Sequence, residues 1–183
     1  MEPSLRKIVI LGPESTGKST LCEQLAAHYQ TLWCPEYARE YLLKHGTNYS
    51  FEDLLNIAKG QLQLEDSYTA QLSQRPTVSG QLLFIDTDMY VMKVWCEFVF
   101  NDCHRWILDR IAERRYDLYL LCRPDLPWVK DELREYPDEA TRLRLYHYYR
   151  ELLMQQDTPW VEVSGSYDQR LQQAIAAVDR LPG

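Results

Sequence analysis

The stretch Gly12-Pro13-Glu14-Ser15-Thr16-Gly17-Lys18-Ser19 follows the apolar run Lys7-Ile8-Val9-Ile10-Leu11 and leads into a helical pattern. It matches G-x-x-x-x-G-K-[ST], in which glycines let backbone amides curve around phosphate oxygens at the start of a helix. The alternative is a glycine-containing turn that binds nothing. All four fixed positions match in a strand-loop-helix setting, which favours the first interpretation. The sequence therefore predicts a nucleotide-binding loop, a Walker A motif.

The residues expected to bind the nucleotide lie in this loop and in the first helical turn after it. In such loops the lysine reaches the β- and γ-phosphates and the last hydroxyl binds Mg²⁺. We therefore expect Lys18 to act on the phosphates and Ser19 to be a magnesium ligand, with ATP and Mg²⁺ as cofactors. The full set of expected nucleotide contacts is Gly12, Pro13, Glu14, Ser15, Thr16, Gly17, Lys18, Ser19 and Thr20.

Short apolar runs alternate with helical patterns along the rest of the chain. Continuous apolar runs of this length are typical of strands buried in a parallel sheet. Strands that alternate with helices predict an α/β fold of three layers, with a mostly parallel five-stranded sheet. No linker or repeat divides the sequence, so we expect one domain over residues 1–183. The four runs after the first are Thr31–Cys34, Leu82–Ile85, Leu118–Leu121 and Trp160–Val163.

Composition limits the classes of partner and compartment. The formal net charge of -7 argues against nucleic acid, which proteins bind mainly through basic surfaces, whereas a small phosphorylated ligand needs only a few local cations. The five cysteines form no C-x-x-C pair, and no apolar stretch is long enough for a membrane span. The N-terminus lacks the apolar core of a signal peptide. We expect a cytoplasmic protein with a small-molecule substrate. The sequence leaves open whether the protein forms a homo-oligomer.

Two carboxylates follow the run Leu82–Ile85, at an edge where parallel sheets hold their ligands. An acid there suits a Walker B carboxylate, which faces Mg²⁺ beside the phosphates. In extended backbone Asp86 and Asp88 would share a face, so either one would serve. The alternative is a helix cap, a role open to Asp88 as well. We favour Asp86 as the metal ligand.

The second strand ends in Pro35-Glu36-Tyr37-Ala38-Arg39-Glu40, where helical spacing places Glu36, Arg39 and Glu40 on one side. A kinase that acts on a hydroxyl needs a carboxylate within hydrogen-bond reach of it, and Glu36 is the best-placed candidate. An arginine nearby would bind the acceptor or offset charge on the phosphoryl group. An ordinary acidic first turn with a surface ion pair is an equally good interpretation at this point.

The fourth strand leads into a loop, approximately residues 123–138, whose prolines, aromatics and mixed charges indicate irregular structure. Such a loop at the carboxyl edge is expected to act as a lid that excludes water from the phosphoryl group. Arg123 and Arg134 are its expected phosphate contacts. Arg142 and Arg144 are weaker candidates for which a solvated face is the better account. Trp128 either stacks on a ring or anchors the loop.

Taken in order, these motifs resemble the ribosylnicotinamide kinase domain of the NadR type. The resemblance spans nearly the whole chain and implies a fold similar to nucleoside and nucleoside-monophosphate kinases. The implied activity transfers the γ-phosphoryl group of ATP to the ribose 5′-hydroxyl of nicotinamide riboside, giving nicotinamide mononucleotide. Here Asp131 precedes Glu132, where the family often has glycine. The matching segments are 12–21, Glu36–Tyr41, Asp86–Asp88 and Pro127–Val129 with Asp131 and Arg134.

The resemblance also implies roles for individual residues. It places Glu36 near the 5′-hydroxyl as base, and Lys18, Asp86, Arg123 and Arg134 with it in catalysis. NadR proteins often carry an adenylyltransferase domain before the kinase domain. The segment before Gly12 is too short for one, so none is expected here. The residues expected to bind the acceptor are Glu36, Tyr37, Arg39, Asp88, Trp128 and Asp131.

Two alternatives to this kinase stay open. One is a kinase of another nucleoside or small hydroxyl compound. The other is a regulatory protein that binds and slowly hydrolyses a nucleotide and signals through its lid. The guanine-binding Asn-Lys-x-Asp signature is missing from the sequence, which disfavours a GTPase.

Overall fold

The computed structural model describes residues 5–75 and 81–182, in which five strands alternate with seven helices. Residues 1–4, which belong to the N-terminal segment that the sequence analysis compared with a signal peptide, lie outside these ranges. In chain order the elements are β1 (Arg6–Leu11), α1 (Lys18–His28), β2 (Leu32–Cys34), α2 (Tyr37–His45), α3 (Phe51–Ser73), β3 (Leu82–Asp86), α4 (Met89–Phe100), α5 (Arg105–Glu113), β4 (Leu118–Cys122), α6 (Glu139–Met154), β5 (Trp160–Val163) and α7 (Tyr167–Val178).

The five strands form one sheet in the order β2-β3-β1-β4-β5. Every neighbouring pair is parallel, and β1 lies at the centre between β3 and β4. Ile10 of β1 is paired with Asp86 on one side and with Leu120 on the other, so the strand ends are level at the carboxyl edge. The prediction of an α/β fold around a parallel five-stranded sheet is confirmed.

Alternate residues of the strands pack into separate hydrophobic layers. Ile8 and Ile10 point toward α1 and α7, where they join Leu21 and Ala174 in one core. Val9 belongs to the core on the opposite face, with α3, α4 and α6. Both faces of the sheet are therefore covered, as in other parallel sheets, and each fully buried Leu or Ile contributes about 1.5–3 kcal/mol. This is the predicted three-layer arrangement.

Local sequence signals set the helix starts. Ser50 and Asp53 form a capping box at the start of α3, and Ser166 with Gln169 forms another at α7. Gly60 lies inside α3 without breaking it. A Cβ there would lie 2.0 Å from a ring carbon of Tyr37, so this glycine lets α2 pack closely on α3.

The chain places its loops where a ligand is expected. The loop of residues 12–17, the N-terminus of α2 and the segment between β4 and α6 all lie at the carboxyl ends of the strands. Among the helices in the described ranges, none combines the length and apolar character that crossing a membrane requires. All five cysteines are free thiols, and four of them are buried.

Candidate active site

The loop between β1 and α1 has the backbone form that a phosphate-binding loop needs. Gly12 has φ 144°, and a Cβ on it would lie 2.7 Å from the Cys122 carbonyl oxygen, so only glycine lets the loop pass this close to β4. Gly17 has φ 77° and immediately precedes the first turn of α1, whose free amides and positive dipole end face the loop. The backbone therefore fits a bound triphosphate.

Lys18 and Thr16 brace this loop from within. The Thr16 hydroxyl donates to the Pro13 carbonyl oxygen at 2.7 Å, and Lys18 Nζ donates to the same oxygen at 2.8 Å. Lys18 lines the cavity that opens above the loop. Its ammonium is therefore held at the point where a Walker lysine contacts phosphate.

A hydroxyl and a carboxylate meet beside the loop. Ser19 Oγ donates to Asp86 Oδ2 at 2.5 Å, and Asp86 is the buried last residue of β3. Burial raises the pKa of Asp86, although the Lys18 ammonium and the Ser19 hydroxyl act to lower it. Two hard oxygen donors beside a phosphate loop fit Mg²⁺, which takes one or two protein oxygens together with substrate phosphates. In residues 5–75 and 81–182 no cluster of three or more His, Cys, Asp or Glu side chains suits a metal.

Glu36 is a second carboxylate at this cavity. It immediately precedes α2, is half-buried and lines the cavity together with Lys18 and Ser19. Burial and the nearby Asp86 carboxylate raise the pKa of Glu36, with Lys18 and Arg39 acting in the opposite direction. A carboxylate with a raised pKa beside a phosphate loop is suited to accept a proton from a hydroxyl.

The sequence interpretation missed Gln61, which fixes the backbone around Glu36. Gln61 is fully buried; its Oε1 accepts from the Tyr37 amide at 2.8 Å, and its Nε2 donates to the Pro35 carbonyl oxygen at 3.2 Å. The sequence did contain one indication of this role, because Gln61 is a polar residue on the apolar face of α3, four positions after Ile57. The side-chain amide of Gln61 thus holds the backbone of both residues that flank Glu36.

Asp88 does not share a face with Asp86, so that expectation is wrong. Thr87 has φ 83°, which breaks the extended backbone on which the expectation rested. Asp88 instead caps α4, where its Oδ1 accepts from the amides of Tyr90 and Val91 at 3.1 and 3.3 Å. Burial raises the pKa of Asp88 to about 7. The helix-cap alternative is the one that the structure supports.

The cavity has a volume of ≈ 530 Å³, within the usual range for small-molecule sites. All nine residues predicted to bind the nucleotide line it. The part beyond Glu36 is walled by apolar and aromatic side chains, which include Trp95, Phe98, Tyr136 and Tyr149. The arrangement joins a phosphate loop, a carboxylate and a set of apolar and aromatic side chains in one cavity.

Residues 123–138 form the irregular loop that the sequence predicted, with neither helix nor strand in this described segment. Arg134 lines the cavity, as expected for a phosphate contact. Arg123 is exposed, and its guanidinium lies 5.8 Å from the centre of the Tyr146 ring, away from the cavity lining. The structure therefore brings one of the two lid arginines to the site. The lid role of this segment stays a prediction.

Four residues predicted to bind the acceptor make contacts within the protein. Arg39 pairs with Asp131 through two hydrogen bonds of 3.2 and 3.1 Å, which connect α2 to the lid loop. Tyr37 packs its ring against Gly60, and Trp128 Nε1 donates to Glu14 Oε1 at 3.3 Å. Trp128 is thus an anchor of the loop, which was one of its two predicted roles.

Comparison with known proteins fits this geometry. The sequence profile of a family described as "AAA domain" matches residues 7–170.

The chain belongs to this AAA domain family.

Two relatives are the trifunctional NAD biosynthesis/regulator proteins NadR of Salmonella typhimurium and Escherichia coli. Each is 30% identical over 184 residues, which cover 98% of this chain and 43% of the relative. The chain therefore spans less than half the length of these relatives.

Two solved structures share this fold. A NadR protein in complex with NR has a TM-score of 0.78 and 23% identity, and the match covers 96% of this chain and 49% of that one. A thymidylate kinase from Ehrlichia chaffeensis has a TM-score of 0.66 and 12% identity, and the match covers 96% and 100%. This AAA domain thus has the fold of the P-loop nucleoside and nucleotide kinases.

Two arginines of the AAA domain lie buried where the sequence did not indicate them. Arg142 is 5% exposed, so the interpretation of its helix face as solvated is wrong. Arg170 is 1% exposed and lies beneath the nucleotide loop. Its Nη1 donates to the Thr16 carbonyl oxygen at 3.1 Å, and its Nε donates to the Gly165 carbonyl oxygen at 2.9 Å. It also forms an ion pair with Asp125.

Arg170→Met is expected to destabilise the AAA domain by about 1–3 kcal/mol, the usual cost of leaving buried hydrogen-bonding groups without a partner. The carbonyl oxygens of Thr16 and Gly165 would lose their donor, and methionine supplies none. Urea unfolding followed by circular dichroism measures the effect. Arg180→Met is the matched control because Arg180 is exposed. Equal midpoints for the two variants would contradict a supporting role for Arg170.

Proposed function

We propose that this protein is an ATP- and Mg²⁺-dependent kinase that phosphorylates the ribose 5′-hydroxyl of nicotinamide riboside, giving nicotinamide mononucleotide. The observation that carries the kinase reaction is that Glu36 and the Walker A loop face one cavity. The acceptor is suggested by relatives named for NAD biosynthesis and by a structural neighbour in complex with NR. Within this proposal the chain supplies a single kinase domain with its own lid, working in the cytoplasm, where ATP is available.

The donor half of the site binds ATP. Backbone amides of residues 12–17 and the N-terminus of α1 surround the phosphates, and Lys18 offsets the charge on the β- and γ-phosphates. Ser19 and Asp86 would hold Mg²⁺, which, when bound, neutralises charge on the transferring phosphate. Their hydroxyl and carboxylate are already in contact, so both oxygens are positioned together.

The acceptor half prepares the hydroxyl. Glu36 accepts the proton of the 5′-hydroxyl, whose oxygen forms a bond to the γ-phosphorus as the bond from that phosphorus to the β,γ-bridging oxygen breaks. ADP leaves with the electron pair of the broken bond. The raised pKa of Glu36 matches it to proton transfer near neutral pH. Gln61 keeps the carboxylate in place by holding the flanking backbone.

The lid loop, the third part of the site, excludes water. Arg134 lies on the cavity wall and is the lid cation that we assign to the transferred phosphoryl group. Arg123 would reach that group only after its guanidinium leaves the Tyr146 ring. The pair of Arg39 with Asp131 connects the acceptor side to the lid. These contacts support a site in which lid and acceptor are positioned together.

The proposal is tested by incubating the protein with Mg-ATP and a panel of nucleosides, followed by mass analysis of products. We expect nicotinamide riboside to give a phosphorylated product with the highest kcat/KM of the panel. A higher kcat/KM for another nucleoside would support the proposed kinase activity but show that its preferred acceptor is that nucleoside. ADP release at the same rate with and without every acceptor would support a nucleotide-hydrolysing regulatory protein instead.

A further inference from the structure

Glu14, a variable position of the Walker A loop, directs its side chain away from the loop and toward the lid. Its Oε1 accepts hydrogen bonds from Trp128 Nε1 at 3.3 Å and from the Tyr136 amide at 2.5 Å. Its Oε2 accepts from the Glu135 amide at 3.0 Å. One carboxylate thus gathers both ends of a lid segment that follows it by more than a hundred residues in the chain.

The next residue of the loop makes a fourth contact of the same kind. Ser15 Oγ accepts from the Val129 amide at 3.0 Å. Ser15 has φ 57°, a left-handed conformation that is uncommon outside glycine. The outer surface of the nucleotide loop is therefore bonded to the lid at two consecutive residues.

Phosphate binding does not account for a carboxylate at this position. The loop binds phosphates through backbone amides, so a variable side chain has no need to touch them, and a carboxylate would repel them. In the structure all three hydrogen bonds of Glu14 go to the lid. Charge-assisted bonds of this type are stronger than those between neutral groups.

Two of the three lid residues that Glu14 contacts also line the substrate cavity. Tyr136 and Glu135 lie on the cavity wall together with Arg134, whose guanidinium donates to the Val129 carbonyl oxygen. A carboxylate that holds the two ends of this segment determines where its centre lies. Glu14 therefore helps to determine where Arg134 lies on the cavity wall.

We propose that Glu14 is a positioning residue that connects the nucleotide loop to the lid and holds Arg134 over the transferred phosphoryl group. This inference rests on the proposed kinase function for its kinetic consequence. Through Glu14, the loop that holds the donor phosphates also keeps the lid closed against water. Loss of the carboxylate is expected to let water compete with the acceptor for the γ-phosphoryl group.

The test compares Glu14→Ala and Glu14→Gln with Glu132→Ala, a matched control that removes an exposed lid carboxylate. Trypsin cleavage after the exposed Lys130, followed by mass spectrometry, reports lid opening. We expect Glu14→Ala to raise the cleavage rate about tenfold, and to raise the ratio of ATP hydrolysis to acceptor phosphorylation by a similar factor. Glu14→Gln retains one acceptor oxygen and should fall between Glu14→Ala and wild type.

Two outcomes would overturn the inference. Unchanged lid cleavage and an unchanged hydrolysis ratio in Glu14→Ala would overturn it. Lost ATP binding with unchanged lid cleavage would also overturn it, because Glu14 would then act on the loop itself. If Glu14→Ala fails to fold, Trp128→Phe removes one of the three hydrogen bonds and should shift both readouts in the same direction. If wild type phosphorylates no nucleoside, the proposed function fails, while lid cleavage still tests the connection.

Discussion

Glu36→Gln is expected to lower kcat for nucleoside phosphorylation by about 10²–10⁴-fold, the usual contribution of a general base. Glutamine keeps the size of the side chain but does not accept the proton of the acceptor hydroxyl. Single-turnover phosphoryl transfer measured by rapid quench isolates this step from product release. The affinity for ATP, measured by calorimetry, should stay within about threefold of wild type because the phosphate loop is untouched.

Glu40→Gln is the matched control for this variant. Glu40 lies one turn further along α2 and is exposed, so its loss should leave turnover unchanged. Glu36→Gln with near-normal turnover would contradict the role of Glu36 as base. Weak ATP binding in Glu36→Gln would instead assign the carboxylate to the donor half of the site.

Lys18→Ala is expected to abolish measurable turnover, with a loss of at least about 10³-fold from removing a preorganised charge at the transferring phosphate. The ammonium of Lys18 is placed at the phosphate loop by its bond to the Pro13 carbonyl oxygen. Coupled detection of ADP with a large excess of enzyme extends the measurable range. The fold should persist, because Lys18 is not part of the hydrophobic core.

Lys44→Ala removes an exposed lysine of α2 and serves as the charge-matched control. Its turnover should equal that of wild type. Substantial phosphoryl transfer in Lys18→Ala, with ATP affinity retained, would show that the cavity uses another cation at the phosphates. Arg134, on the lid side of the cavity, is the residue that such a result would indicate.

The sheet and the nucleotide loop were predictable because each rests on short-range pattern. The runs that became β3 and β4 were continuous apolar stretches of strand length, and the glycines of residues 12–17 stood at fixed spacing. Patterns of this kind follow from burial on both faces of a sheet and from backbone geometry. The placing of Asp86 at the end of β3 followed from the same strand.

The errors arose where tertiary contacts decide the direction of a side chain. A positive φ at Thr87 breaks the extended backbone that a shared face of Asp86 and Asp88 required, and Asp88 caps a helix, which the sequence had offered only as the alternative. Arg170 was not identified from the sequence, because its role depends on carbonyl oxygens beneath the nucleotide loop that need a buried donor. Glu14 stays a predicted nucleotide contact; its hydrogen bonds to the lid were not predictable, because they join residues more than a hundred positions apart in the chain.

The most direct test of the account is phosphorus NMR of wild-type protein with Mg-ATP and nicotinamide riboside. We expect that nicotinamide mononucleotide and ADP form in equal amounts, with the phosphate on the 5′-oxygen, and that 5′-deoxy nicotinamide riboside gives no product. ADP that accumulates with free phosphate, at a rate independent of nicotinamide riboside, would contradict it.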